Sequence, residues 1–290
     1  MLGGLFFRKK SKTSIAPFIG IRRHRIVTDG DGVTTLVAFH GCNLHCKYCL
    51  NPQCLSIDGI WKRFTPSSLY TEVKKDNLYF IETEGGICFG GGEPLKYVDF
   101  IKDFNALCPA TWKISVETSL NVPQDNLIAV SDVVDAYIVD IKDMNPSIYH
   151  AYTGQDNTIV KDNLKWLAEN GHANKTTIRT PLIPNYNSQS DIDSSIAELK
   201  AMGYSKFESL TYTTEEVTNK DYHVIGEIVG KATCRYLKNI RLDVAQRCGI
   251  EYAPKECTHK GPCAGTCPVC DRELKYIDQR IYYYYGTVTT

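Results

Sequence analysis

The chain has 290 residues, 43% of them apolar, which suffices for one large domain with a small appendage and argues against wholesale disorder. Lys plus Arg (33) equals Asp plus Glu (33), so no global charge draws the chain to nucleic acid or to an anionic membrane. Twelve cysteines, with no recognisable leader and no apolar run long enough to span a bilayer, exclude a small disulfide scaffold and point to metal or redox chemistry in the cytoplasm.

In chain order, an N-terminal extension (1–18) is followed by the basic cluster Arg22-Arg23-His24-Arg25, read as a solvated face. From about residue 19 to 245, strand-like and helix-like segments alternate. Strands are predicted at 34–40, 86–89, 113–117, 136–141, 176–182 and 207–212, and helices at 67–75, 98–107, 124–130, 160–169, 191–202 and 222–237. Ser188 or Ser190 is the candidate cap of the helix near Asp191. Repeated strand-then-helix units predict parallel strands joined by right-handed crossovers. Six units suit an α/β partial barrel, with a doubly wound sheet as the alternative, and in either case functional residues belong at the C-terminal ends of the strands. Past residue 246 the pattern gives way to a Cys-rich module (246–290) with a short amphipathic segment at 271–281 and a tyrosine run at 282–285.

The loop after the first predicted strand reads Gly41-Cys42-Asn43-Leu44-His45-Cys46-Lys47-Tyr48-Cys49. Three thiolates at x3 and x2 spacing can grip one iron–sulfur cube, which ordinarily takes four, and leave one iron open to a ligand. Zinc, the alternative, prefers four closed ligands. The nearby extra thiol is Cys54, and His45 is expected to face solvent.

The Cys42/Cys46/Cys49 spacing, with Tyr48 before the last cysteine, resembles the radical S-adenosylmethionine (SAM) signature. Phe89-Gly90-Gly91-Gly92-Glu93-Pro94 is similar to the superfamily's Gly-Gly-Glu-Pro motif. The glycyl-radical-enzyme activases, the pyruvate formate-lyase activating enzyme type, are resembled most: in Asp29-Gly30-Asp31-Gly32-Val33, Cys49-Leu50-Asn51-Pro52, Val116-Glu117-Thr118-Ser119, Val139-Asp140-Ile141-Lys142, and Arg179 with the 181–187 loop. The resemblance implies a partial (β/α)6 TIM-like barrel of the radical SAM type. It also implies a 4Fe-4S cluster on Cys42, Cys46 and Cys49 as the catalytic centre, with Tyr48, Gly91, Gly92 and Glu93 at the cofactor. Glu117, Thr118 and Asp140 are implied near SAM or a monovalent cation, and Lys142 and Arg179 as holders of its polar groups. The activases' Pro-Tyr-His near the sixth strand is absent, since this chain has Leu210-Thr211-Tyr212-Thr213 there.

A second cluster, Cys257, Cys263, Cys267 and Cys270, offers four thiolates, and so a closed site. An auxiliary 4Fe-4S cluster is favoured over zinc, with Cys248 able to replace Cys257 and disulfides as a third option. Cys54, Cys88, Cys108 and Cys234 read as small packing residues.

The resemblance implies reductive SAM cleavage to a 5′-deoxyadenosyl radical that abstracts hydrogen from a protein or peptide, with a glycyl-radical enzyme as one such substrate. Cluster potentials span about −700 to +450 mV, and this reaction needs the low end, which implies flavodoxin or ferredoxin as reductant. The alternatives are a radical SAM enzyme for another substrate, with the C-terminal cluster assisting, and a non-enzymatic iron–sulfur or zinc protein on the same scaffold.

Overall fold

A computed structural model describes residues 14–26, 28–212, 219–261 and 263–285, with the backbone alone at 219–228 and 284–285. Residues 1–13 of the expected extension, and Thr213, lie outside the described residues.

The strands are β1 (Ala16–Ile26), β2 (Val33–Phe39), β3 (Lys62–Phe64), β4 (Gly86–Gly91), β5 (Lys113–Thr118), β6 (Ala136–Asp140), β7 (Thr176–Leu182) and β8 (Lys206–Thr211). The helices are α1 (Pro66–Val73), α2 (Asn77–Thr83), α3 (Val98–Asn105), α4 (Gln124–Val130), α5 (Pro146–Thr153), α6 (Thr158–Glu169), α7 (Gln189–Ala201), α8 (Asn219–Arg247) and α9 (Pro268–Tyr285).

The strands form one sheet in the order β3-β1-β2-β4-β5-β6-β7-β8. Pairing is parallel from β2 through β8, whereas β1 runs antiparallel to both β2 and β3. Each parallel strand is followed by helix, as in a partial (β/α)6 barrel left open between β8 and β3. The central strands are buried on both faces, with six of the seven β2 residues inaccessible, because helices cover one side and the barrel interior the other.

The main apolar core lies between the sheet and its helices, around Phe39, Phe89, Phe100, Val116, Tyr137 and Leu164. At the start of α7, the Ser188 hydroxyl accepts from the Asp191 amide while the Asp191 carboxylate accepts from Ser188, so Ser188 is the cap.

β1, β3, α2 and α5 are additions to the elements legible in the sequence, and α8 extends to Arg247, ten residues beyond its expected end. The boundary drawn at residue 246 falls inside α8. This helix and α9 enclose a second apolar cluster, with Val33, Tyr79, Leu237, Val244 and Ile277. Arg241 is fully buried there. It donates to the Tyr79 hydroxyl, to the Tyr252 hydroxyl at 3.0 Å and to Glu273 at 2.8 Å.

The basic cluster on β1 is a correction to the sequence reading. Arg22 is exposed, but His24 is buried at φ +57°, its Nδ1 2.6 Å from the Ala264 carbonyl and its Nε2 3.0 Å from Asp76. Arg23 pairs with Asp76 at 2.5 Å and with Asp271 at 3.2 Å. Burial opposes the Asp76 charge, yet the hydrogen bonds from His24 and Arg23 hold its carboxyl down at about 2. The buried Asp76 carboxylate thus turns Arg23 and His24 inward, and their contacts with Asp271 and the Ala264 carbonyl dock the C-terminal module on β1. No helix among the described residues is long and apolar enough to cross a membrane.

Candidate active site

The loop from 40 to 51 leaves the C-terminal end of β2 and is held from three sides. The Gly92 amide donates to the Phe39 carbonyl at 2.9 Å and the Glu93 amide to the Gly41 carbonyl at 2.8 Å, which fastens the loop to the end of β4. The His45 and Lys47 amides donate to the carbonyls of Thr153 (3.0 Å) and Tyr152 (3.2 Å), the last residues of α5. The Gly41 amide donates to the Cys54 carbonyl at 2.8 Å. The close approach at β4 requires glycine: a Cβ on Gly92 would stand 2.2 Å from the Gly41 oxygen, and Gly91 (φ +92°) would drive one into Ala38 at 2.7 Å.

Cys42, Cys46 and Cys49, all partly exposed, face one cavity with Tyr48, Gly91 and Gly92. Glu117 and Thr118 from β5, and Asp140 and Lys142 from the end of β6, complete its polar wall. Two of the sequence-nominated residues do not line it. Glu93 is fully buried behind the wall, where one oxygen accepts from the Leu95 amide (3.1 Å) and the Thr118 hydroxyl (2.7 Å) and the other from the Ser119 amide (3.0 Å) and hydroxyl (2.7 Å). It splints β4 to β5. Arg179 lies deeper in the barrel, paired with Glu117 at 2.9 Å and Glu208 at 2.8 Å.

Residues the sequence did not nominate also face the cavity: Leu36, Leu44, Leu50, Asn51, Ser119, Tyr152 and Tyr212. Tyr212 follows β8, where the strand-end rule would have flagged it. Tyr152 sits on α5, an element missing from the sequence reading although Asn145 and Pro146 mark its start.

The electrostatics divide the thiols. Burial pushes Cys42 up and Cys46 up to about 12, against the pull of the Lys142 ammonium on Cys46. A hydrogen bond from the buried Cys54 thiol, together with Lys142, draws Cys49 down to about 6 in spite of its burial. Burial disfavours the Lys142 charge, but Asp140 at 2.5 Å outweighs it and raises the lysine well above its ordinary value. The ammonium also donates to the Tyr212 hydroxyl at 2.9 Å. The other Asp140 oxygen, Oδ1, is buried with no hydrogen-bond partner. A buried carboxylate oxygen left empty on a cavity wall is a place for a donor or a cation.

This donor set suits an iron–sulfur cube. A cube takes one thiolate per corner and so spreads its ligands, and three thiols with a polar wall opposite leave a corner for a chelating cofactor.

Residues 36–196 match the profile of the radical SAM superfamily, more than half of the chain. The chain belongs to the radical SAM superfamily. This radical SAM protein is 26% identical to the indoleacetate decarboxylase activating enzyme of Tractidigestivibacter scatoligenes, over 60% of its own length and 57% of the relative's. It is 27% identical to the pyruvate formate-lyase-activating enzyme of Clostridium pasteurianum, over 68% and 84%. It is 25% identical to the choline trimethylamine-lyase activating enzyme of Oleidesulfovibrio alaskensis, over 56% and 71%. The radical SAM chain thus spans little more than half the length of the first of these relatives.

Proposed function

We propose that this protein is an activating enzyme of the radical SAM type. It reductively cleaves SAM and removes a hydrogen atom from a protein partner, a glycyl-radical enzyme being the partner class its relatives' names favour. The observation that carries this reading is the sharing of one cavity by the three thiols of C-x3-C-x2-C, the Gly91–Gly92 turn, Asp140 and Lys142. Cys42, Cys46 and Cys49 would hold the cluster. When bound, the cluster and SAM supply a one-electron reduction and a 5′-deoxyadenosyl radical.

The chain's own residues bind, orient and exclude. The Gly91–Gly92 backbone, free of side chains, admits the methionine end of SAM, and Asp140 Oδ1 accepts a proton donor or a monovalent cation. Lys142, fixed by Asp140 and Tyr212, offers its remaining N–H to an anionic group. Leu36, Leu44 and Tyr152 wall the cavity with apolar surface, which keeps water from a reactive radical. Glu93 and Arg179 act from behind by holding Thr118, Ser119 and Glu117 in place. A low-potential flavodoxin or ferredoxin in the cytoplasm supplies the electron. The barrel through β8 forms the catalytic core, and α8, α9 and the segment between them an appended module.

Anaerobic, iron-reconstituted protein given reductant and SAM is expected to release 5′-deoxyadenosine. With a glycyl-radical partner it is expected to yield a glycine-centred doublet in electron paramagnetic resonance. Protein with a full complement of iron that releases none would refute the enzyme reading. Release with no doublet from any partner encoded nearby would refute the choice of partner.

A further inference from the structure

We infer that Cys234, and not Cys263, completes a four-thiolate site with Cys257, Cys267 and Cys270, and that this site takes one tetrahedral ion of the zinc class.

Cys234 lies on α8, 2% exposed, and its sulfur is 3.6 Å from that of Cys270, itself 2% exposed on the first turn of α9. All four line one cavity in the C-terminal module, remote in sequence from the first cysteine loop. Cys263 is not among the lining residues. Its backbone presses on α8 at Gly230, where an added Cβ would meet the Cys263 carbonyl oxygen at 2.6 Å. Cys263 therefore docks one helical turn before Cys234, and Gly230 is what lets it approach so closely.

The sulfur spacing selects the occupant. A disulfide would need about 2.05 Å. Thiolates at about 2.3 Å from a tetrahedral zinc stand about 3.8 Å apart, close to the contact observed. In a cubic cluster each cysteine takes a different iron, which spreads the sulfurs beyond such contact. The four thiols do not close on one point without a metal; a bound ion, taking them as thiolates, would draw them to a common centre.

The surroundings fit in charge and in need. Zinc with four thiolates carries a net charge of about −2. Lys238 and Lys260 face the same cavity, against the one carboxylate there, Glu256. Residues 251–261 and 263–267 contain neither helix nor strand. A long irregular segment inside a packed module needs a tie, and a structural metal provides one.

The test uses the full chain carrying Cys42, Cys46 and Cys49→Ala, which removes the first site. Metal analysis is expected to find about one zinc per chain. Adding Cys234→Ala is expected to abolish that zinc, together with the thiolate charge-transfer band of the cobalt-loaded protein, whereas Cys263→Ala is expected to keep both. Iron with sulfide in place of zinc, no metal at all, or loss in Cys263→Ala with retention in Cys234→Ala would each overturn the inference. Alkylation of the otherwise unmutated background protein guards against a misfolded variant. Cys234 should be modified only after a chelator strips the metal, and Cys263 equally with and without it. Chelator-dependent protection of Cys263 instead of Cys234 would count against the assignment.

Discussion

Cys49 and Cys54 are five residues apart and have opposite fates. Cys49 faces the cavity, whereas Cys54 is buried outside it and spends its thiol proton on Cys49. If the cavity-facing thiols hold the cluster, Cys46→Ala is expected to lose most of the first-site iron and all SAM cleavage. Cys54→Ala is expected to keep both, at a cost of about 1 kcal/mol for the lost hydrogen bond. Iron content and 5′-deoxyadenosine release on the two variants decide the matter, and equal losses would mean that the ligands are misassigned. Lys142 invites a second substitution. Its ammonium is the buried cation on the cavity wall, held by Asp140 and Tyr212. In Lys142→Met, a charge-assisted bond to SAM worth about 1.5–3 kcal/mol is lost, so SAM should bind about ten- to a hundredfold more weakly. Equilibrium dialysis on the anaerobic, cluster-loaded protein measures this, and unchanged affinity would remove Lys142 from the binding wall.

Among the elements, the end of β4 carries the closest packing in the site. Gly92 lies against the Gly41 carbonyl so tightly that a methyl group cannot enter without moving the cysteine loop. Gly92→Ala is therefore expected to lower iron content and to cost about 1–3 kcal/mol of stability, whereas Gly20→Ala on β1, with open space around it, is expected to do neither. Iron analysis with thermal melts on both variants is the check. The same strand shows why the site was legible in sequence: residues 86–89 form an apolar run, and the motif follows at its C-terminal end. β1 was illegible because Arg22, Arg23, His24 and Arg25 interrupt its apolar period, and the buried partner of Arg23 and His24, Asp76, lies about fifty residues away. α2 is seven residues long and joined to the turn at 74–76, too short for a helical period to emerge. α5 did carry a start signal: Asn145 caps it and Pro146 opens it. Overlooking that signal hid Tyr152 and the carbonyls that hold the cysteine loop. Cys234 was hidden for another reason. It lies twenty-three residues before the first cysteine of the terminal group, and no spacing rule couples a mid-helix thiol to a loop that folds back on it.

Across the whole molecule, the C-terminal module is joined to the barrel by the apolar cluster around Val33, Tyr79 and Leu237 and by a seam of charge. Asp76, Arg23, His24 and Asp271 link β1, the turn before α2 and α9, while Arg241 and Glu273 tie α8 to α9 over Tyr79. Within this charged seam, Asp278 on α9 is unfavourably placed. Burial, and secondarily the negative charge of Asp76, raise its carboxyl to about 7, against about 3.9 in an unfolded chain. The folded state therefore holds this proton more tightly than the unfolded state does. Its contribution to stability is complete below about pH 4, declines as the pH rises through the interval up to about 7, and is gone above it. Asn at this position keeps the shape of the protonated acid and cannot ionise. Asp278→Asn should thus melt close to the parent protein near pH 4 and increasingly above it as the pH climbs, with the gap level beyond about pH 7. Melting curves of the two proteins at half-unit pH steps test this, and a gap that does not vary with pH would show that the Asp278 proton is not linked to folding.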